Sequence, residues 1–190
     1  EICKTSDLKL LGKHNWQNVC AAITTVWQIT QDINSISNIA RTFNGLPFRI
    51  EFRQEKNGIR YFNDSFATAP GASMAAIESV PGMKVMIMGG FDRGLDLTEL
   101  ASKINERASE LRKVVLIGQA SDRLAEALKA KGFTNFTELR QKDMNQIVSL
   151  AKNEAKDGDA VVLSPGFASF DMFKNFEERG HAFNSAVEQL

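Results

Sequence analysis

Cysteine is scarce in this chain: Cys3 and Cys20 are the two present, in unrelated contexts, with no Cys-x-x-Cys and no Cys/His cluster. That excludes a disulfide frame and a structural zinc site, and it favours reduced thiols in a cytosolic protein. An excess of either charge is missing too. The 23 Lys and Arg are matched by 23 Asp and Glu, so no net field draws nucleic acid or an anionic membrane. No apolar run approaches the roughly 20 residues needed to span a bilayer. The opening residues, EICKTSDLKL, have neither an initiator Met nor the layout of a signal peptide, which predicts a piece of a longer protein.

What is present is the composition of an ordinary globular protein. At 43% hydrophobic and 24% charged, 190 residues can bury one domain, or one domain and part of another. HNWQNVCAAITTVWQIT places Trp16, Val19, Cys20, Ile23, Val26, Trp27 and Ile29 at helical spacing and predicts a buried helix. SISNIARTFNG predicts a second, shorter helix ended by Gly45. Beyond Pro47 the texture changes. Alternating runs on either side of Asn57-Gly58 predict an antiparallel hairpin with strands at about 48–53 and 59–63.

From there apolar strands alternate with amphipathic helices. Helices are expected over 70–79, 96–109, 121–131, 142–155 and 171–189, with strands in KVMIMGG, KVVLIG, AVVLS and, more weakly, near FTNFTEL. This rhythm predicts an α/β fold, a Rossmann-like, mainly parallel sheet with helices on both faces. An N-terminal β-hairpin and two preceding helices complete it.

In such a sheet, ligands bind at the carboxyl ends of the strands, where loops and helix N-termini converge. Three of these ends carry reactive or polar residues. NDSFATAP (63–70) holds Asp64, Ser65 and Thr68 ahead of a helix that Pro70 can begin. GGFDRGLD (89–96) combines glycines that permit close backbone approach with the forked cation of Arg93. LSPGFASFDMFKNFEERG (163–180) breaks into Ser-Pro-Gly, and Ser169 is placed to cap a following helix. Together they suit a small carboxylate-bearing ligand. Taken singly, each has a structural alternative: Asp64 as a turn acceptor, Arg93 in a surface ion pair, Gly-Gly as a strand end. Phe167, Phe170, Phe173 and Phe176 read mainly as core by spacing, and His181 as solvated.

In this order LLGKHNWQN, FNGLPFRIEF, FNDSFATAP, MGGFDRGLD and LSPGFASFDMFKNFEERG resemble the Mur ligases over essentially the whole chain, and within them the D-glutamate-adding branch. The resemblance implies a three-domain parent. Residues 1–45 correspond to the terminal helices of its central ATPase domain and 46–190 to its C-terminal, amino-acid-binding domain. It also implies an ATP- and Mg2+-dependent, cytoplasmic, monomeric ligase of peptidoglycan synthesis. In the full-length ligases that it resembles, ATP phosphorylates the carboxylate of UDP-N-acetylmuramoyl-L-alanine, and the amine of D-glutamate attacks the acyl phosphate to give an amide, ADP and phosphate. The sequence has no Gly-x-x-x-x-Gly-Lys-Ser/Thr loop; the resemblance implies that the phosphate cradle and the metal ligands lie in a central-domain stretch outside this chain, as does the N-terminal UDP-binding domain. The fragment is accordingly expected to be inactive alone.

Carried over motif by motif, Ser169 and Phe170 resemble the family's glutamate contacts and Phe176 the ring that closes the pocket. Thr68 and Arg93 match further amino-acid contacts, with Arg93 standing where many relatives have lysine. Asn18 resembles the adenine contact, Arg49 the phosphate contact and Asp64 the ribose contact; His14 shares the Asn18 motif. Two positions depart from the pattern. Phe66 replaces the lysine of the commoner NDSKAT, and Phe48 replaces a histidine. Two other readings stay open: a Mur-type ligase for another amino acid such as L-glutamate, and a non-catalytic α/β module that binds a small acid.

Overall fold

A computed structural model describes residues 1–140 and 143–190. It divides into two units, Glu1–Pro47 and Phe48–Leu190.

The first unit holds a 3-10 turn and two helices, α1 (Lys13–Val26) and α2 (Ile33–Thr42). Asp32 caps α2, its carboxylate accepting from the N–H groups of Asn34 at 3.0 Å and Ser35 at 3.2 Å. Both expected helices form, but the predicted burial of the first does not: α1 has no buried residue, and in α2 only Ile36 and Ala40 are buried. Two helices alone have too little apolar surface to enclose one another. Val19, Ile23 and Val26 instead line a shallow apolar groove with Ile39 and Phe43. The second helix stops at Thr42, ahead of Gly45.

The second unit is a six-stranded sheet in the order β1-β2-β6-β3-β4-β5. Its strands are β1 (Glu51–Lys56), β2 (Ile59–Asn63), β3 (Lys84–Gly89), β4 (Leu111–Ile117), β5 (Phe136–Leu139) and β6 (Ala160–Leu163). β1 runs antiparallel to β2 and every other pairing is parallel, as the alternating pattern predicts. Asn57 and Gly58 form the tight turn with φ of 54° and 72°, the left-handed pair that a two-residue hairpin requires. The first strand begins at Glu51 rather than at 48, because Phe48 and Ile50 have positive φ and take those residues out of the ladder.

The helices are α3 (Pro70–Ser79), α4 (Thr98–Glu106), α5 (Ser121–Ala130), α6 (Met144–Glu154) and α7 (Phe176–Glu188). The expected start of α6 at 142 lies outside the described residues. Alternate strand residues divide between two faces. Tyr61, Val85, Ile87, Val115, Val161 and Leu163 pack under α6 and α7 through Ile147, Val148, Phe183 and Val187. Phe62, Met86, Met88, Leu116 and Val162 are buried on the opposite face with Ile77, Leu100, Ile104, Leu124 and Leu128 of α3, α4 and α5.

The last helix departs from the sequence expectation. It starts at Phe176, capped by the side chain of Asn175, which accepts from the Glu178 N–H at 2.8 Å. Ser169 therefore does not cap it. Residues 170–175 are turns and bends. The i, i+3 spacing of the four phenylalanines consequently does not place them on one helix face: Phe167 is buried, whereas Phe170 is 65% exposed. Among the described residues no helix is long and apolar enough to cross a membrane.

Candidate functional site

Three loops leave the carboxyl ends of β2, β3 and β6 side by side. The order β2-β6-β3 sets β6, whose chain continues to α7 on one face, between two strands that continue to α3 and α4 on the other. That reversal opens the crevice in which doubly wound sheets bind ligands. Backbone bonds hold the loops together. The Gly89 N–H donates to Pro165 C=O at 2.8 Å, the Phe91 N–H to Ala168 C=O at 2.8 Å, and the Gly166 N–H to Ala67 C=O at 2.9 Å.

A buried polar network lies beneath. Asp64 is 3% exposed; one carboxylate oxygen accepts from Ser164 Oγ at 2.6 Å and the other from the Ile50 N–H at 3.0 Å. Ser73 Oγ donates to the Ser164 carbonyl at 2.9 Å, tying α3 to the end of β6. Asn63 Nδ2 donates to Gly180 C=O at 2.8 Å and to Asn184 Oδ1 at 2.7 Å. Arg179, 1% exposed, donates to Ser65 Oγ and the carbonyls of Ser65, Phe167 and Ala168 at 2.9–3.3 Å. One guanidinium thus joins α7, the β2 loop and the β6 loop.

Burial governs the ionisation of both charged groups. It pushes Asp64 up to about 7, against the Ser164 and Ile50 hydrogen bonds and the positive charges of Arg49 and Arg179. It lowers Arg179 to about 10, opposed by Asp171 and Asp64, so the guanidinium stays charged at neutral pH. A carboxyl that titrates at about 7 when folded, against 3.8 ordinarily, keeps its proton over a range where the unfolded chain has lost it. Its contribution is therefore complete below about pH 4 and is lost as pH rises towards 7. Asp64→Asn should flatten this slope. Urea unfolding at pH 5 and pH 8 is expected to show the wild-type chain losing about 3 kcal/mol more than the variant, at about 1.4 kcal/mol per pH unit. Parallel slopes would mean the carboxyl is ionised in the fold.

The residues singled out in the sequence fall into separate groups. Arg93 is exposed, and its Nη2 donates to the Thr68 carbonyl at 2.5 Å, so these two are brought together across the β2 and β3 loops. Ser169 is buried, with its carbonyl accepting from the N–H groups of Met172 and Phe173. Phe170 projects outward against Phe91, with ring centroids 6.1 Å apart. Phe176 lies edge-on to Phe66 at 4.8 Å. Arg49 is exposed and its guanidinium lies 5.9 Å from the Phe66 ring centroid. In the first unit, His14 lies in the first turn of α1, and the exposed Asn18 donates to Asn15 Oδ1 at 3.1 Å.

Beside these loops lies a cavity of about 520 Å³, lined by Phe91, Gly118, Gln119, Arg140, Phe170 and Asp171. Of the sequence-picked residues, Phe170 lines it. The Gln119 N–H donates to Asp171 at 2.8 Å, joining the β4 and β6 loops. Among the described residues no group of three or more His, Cys, Asp or Glu is arranged to hold a metal.

Arg179, Ser164 and Gln119 escaped the sequence reading. For Arg179 there was a signal: it shares a helical face with Phe183, Ala186 and Val187, all buried. A charged residue on an apolar stripe needs buried partners. Ser164 and Gln119 left no comparable mark.

The Mur ligase, glutamate ligase domain family matches residues 48–167. UDP-N-acetylmuramoylalanine–D-glutamate ligase of Pelotomaculum thermopropionicum is 41% identical over 189 residues, covering 100% of this chain and 40% of that protein. The enzyme of the same name from Clostridium tetani is 37% identical, covering 100% of this chain and 41% of its own length. The chain thus spans about two fifths of the curated relatives it matches. Among solved structures, UDP-N-acetylmuramate–alanine ligase of Thermotoga maritima superposes with a TM-score of 0.66 at 14% identity, covering 96% of this chain and 39% of that one. MurF ligase of the same organism, in complex with ADP, gives 0.64 at 19% identity, covering 94% and 39%. The structural likeness establishes the fold and the sequence match establishes the relationship: this chain belongs to the Mur ligase family.

Proposed function

We propose that this chain is the C-terminal part of an ATP-dependent ligase that adds D-glutamate to UDP-N-acetylmuramoyl-L-alanine through an acyl phosphate. In this reading residues 46–190 hold the amino acid and residues 1–45 belong to the central ATPase domain, in a cytoplasmic monomer. The observation that carries it is the Arg93–Thr68 bond beside the loop bearing Ser169. That bond sets a cation and a hydroxyl-bearing residue at the carboxyl-end crevice. A guanidinium has five donors, so one bond to a carbonyl leaves capacity for a carboxylate.

The domain's task is geometric. The amine must be aimed at the acyl carbon, and holding the amino acid by its carboxylates removes much of the entropic barrier to attack. Arg93 and Thr68 supply one end of that hold, and Ser169 with the Phe170 backbone supplies the other, with Phe176 closing the side. Within Phe48–Leu190 the proposed nucleotide contacts are Arg49 and Asp64; within Glu1–Pro47, taken by itself, they are Asn18 and His14. Asp64 has both oxygens engaged internally, so its contact with ribose requires one of those bonds to be shared or exchanged.

The test is phosphate release by the complete ligase with ATP, Mg2+, UDP-N-acetylmuramoyl-L-alanine and a panel of D-glutamate, L-glutamate, D-aspartate and L-lysine. Release is expected with D-glutamate alone. Arg93→Ala and Ser169→Ala should raise the KM for the amino acid about ten-fold or more, as loss of a charge-assisted or buried hydrogen bond does, with little change for ATP. Release with L-glutamate instead would keep the ligase and move its specificity. Silence across the panel would discard the activity.

A further inference from the structure

The stretch Phe48-Arg49-Ile50 carries unusual backbone conformations. Phe48 has φ of 61° and Ile50 of 45°, the left-handed region that costs a bulky or β-branched side chain. Several contacts hold it there. The Phe48 N–H donates to Glu51 Oε2 at 2.9 Å, and its carbonyl accepts from the Phe66 N–H at 2.9 Å. The Ile50 N–H is taken by Asp64 at 3.0 Å. The Phe48 ring lies against Gly180, where a Cβ would come within 2.4 Å of it, and packs edge-on against His181 at 5.0 Å. Strain held at both neighbours fixes the direction in which Arg49 leaves the chain.

The Arg49 side chain ends near Phe66, with its guanidinium carbon 5.9 Å from the ring centroid, within cation–π range. Phe66 is 45% exposed, and its ring is itself placed edge-on against Phe176 at 4.8 Å, at the first residue of α7. Backbone, guanidinium and ring thus form one assembly at the mouth of the β2–β6 crevice.

We propose that Phe66 is a positioning residue for Arg49: its ring holds the guanidinium in place to meet the polyphosphate of the nucleotide, and its contact with Phe176 links that cation to the amino-acid side of the crevice. This rests on the nucleotide role of Arg49 given above. An exposed arginine otherwise spreads over many rotamers, and a contact that narrows them improves anion binding without adding charge. Phe66 touches no reacting atom in this arrangement, so its effect falls on nucleotide affinity and passes through Arg49.

Steady-state kinetics of the complete ligase test the proposal with Phe66→Leu, Phe66→Trp, Arg49→Ala and the double variant Phe66→Leu/Arg49→Ala. Leucine keeps apolar bulk and removes the ring face; tryptophan restores it. Phe66→Leu is expected to raise the KM for ATP about three-fold, the size of an exposed cation–π contact, with kcat close to wild type. Phe66→Trp should return the KM to the wild-type range, and in the Arg49→Ala background Phe66→Leu should have no further effect. An unchanged KM for ATP in Phe66→Leu, or the same increase with and without Arg49, overturns the proposal while leaving the nucleotide role of Arg49 intact. An unchanged KM in Arg49→Ala removes that role and the proposal with it.

Discussion

Arg179→Met is expected to lower the unfolding free energy by about 3–5 kcal/mol, the cost of leaving several buried acceptors without a donor. Methionine fills much of the same volume but donates no hydrogen bond. The carbonyls of Ser65, Phe167 and Ala168 and the hydroxyl of Ser65 would each lose a donor in a place where Arg179 itself is 1% exposed. Asp64 and Asp171 would also lose a favourable opposite charge. Lysine should rescue only part of the loss, because a single ammonium cannot span acceptors that the guanidinium reaches with separate nitrogens. Urea denaturation of the chain checks this: the midpoint should fall with little change in slope. A loss below about 1 kcal/mol would show that water takes over the donors. In the complete ligase the same variant should raise the KM for the amino acid, since Phe167 and Ala168 lead directly into Ser169.

Gly90→Ala should have a comparable effect by a different route. Gly90 has φ of 141°, and a Cβ placed on it would lie 2.3 Å from the Ala168 carbonyl oxygen. A backbone atom cannot rotate aside. Relief requires the β3 and β6 loops to separate, which breaks the Phe91–Ala168 bond and shifts the adjoining Ser169. Gly118 is restrained in the same cluster: its Cβ would lie 2.8 Å from Gly90 Cα. A destabilisation above about 2 kcal/mol is expected, beyond the usual cost of alanine at positive φ because a backbone clash adds to it. Turnover should fall by at least about ten-fold through misplacement of the amino acid by an ångström or so. Thermal unfolding together with amino-acid saturation kinetics reads both effects. Near wild-type values in both would show that the loops tolerate separation and do not depend on this close approach.

In the candidate site, the features legible in the sequence were those whose chemistry is local. Arg93 and Thr68 were picked from two motifs separated by 25 positions, and the structure brings them into contact. The Gly-Gly of the same motif was read as permitting close approach, which Gly90 does. Ser169 was misread as a helix cap because a Ser followed by Asp171 fits the local pattern; Asn175, with Glu178 three residues on, provides the cap used. Arg179 was passed over because its partners come from segments that no local pattern connects.

The alternation of apolar and polar runs determined the elements themselves, the parallel character of the sheet and the hairpin at Asn57-Gly58, since each depends on periodicity or turn chemistry within a few residues. The insertion of β6 between β2 and β3, and with it the crevice, came from tertiary structure alone. Asp64 and Ser164 meet although 100 positions separate them, and the choice of that pairing over its alternatives depends on how buried area and hydrogen bonds sum across the whole domain. Only the packed chain takes that sum.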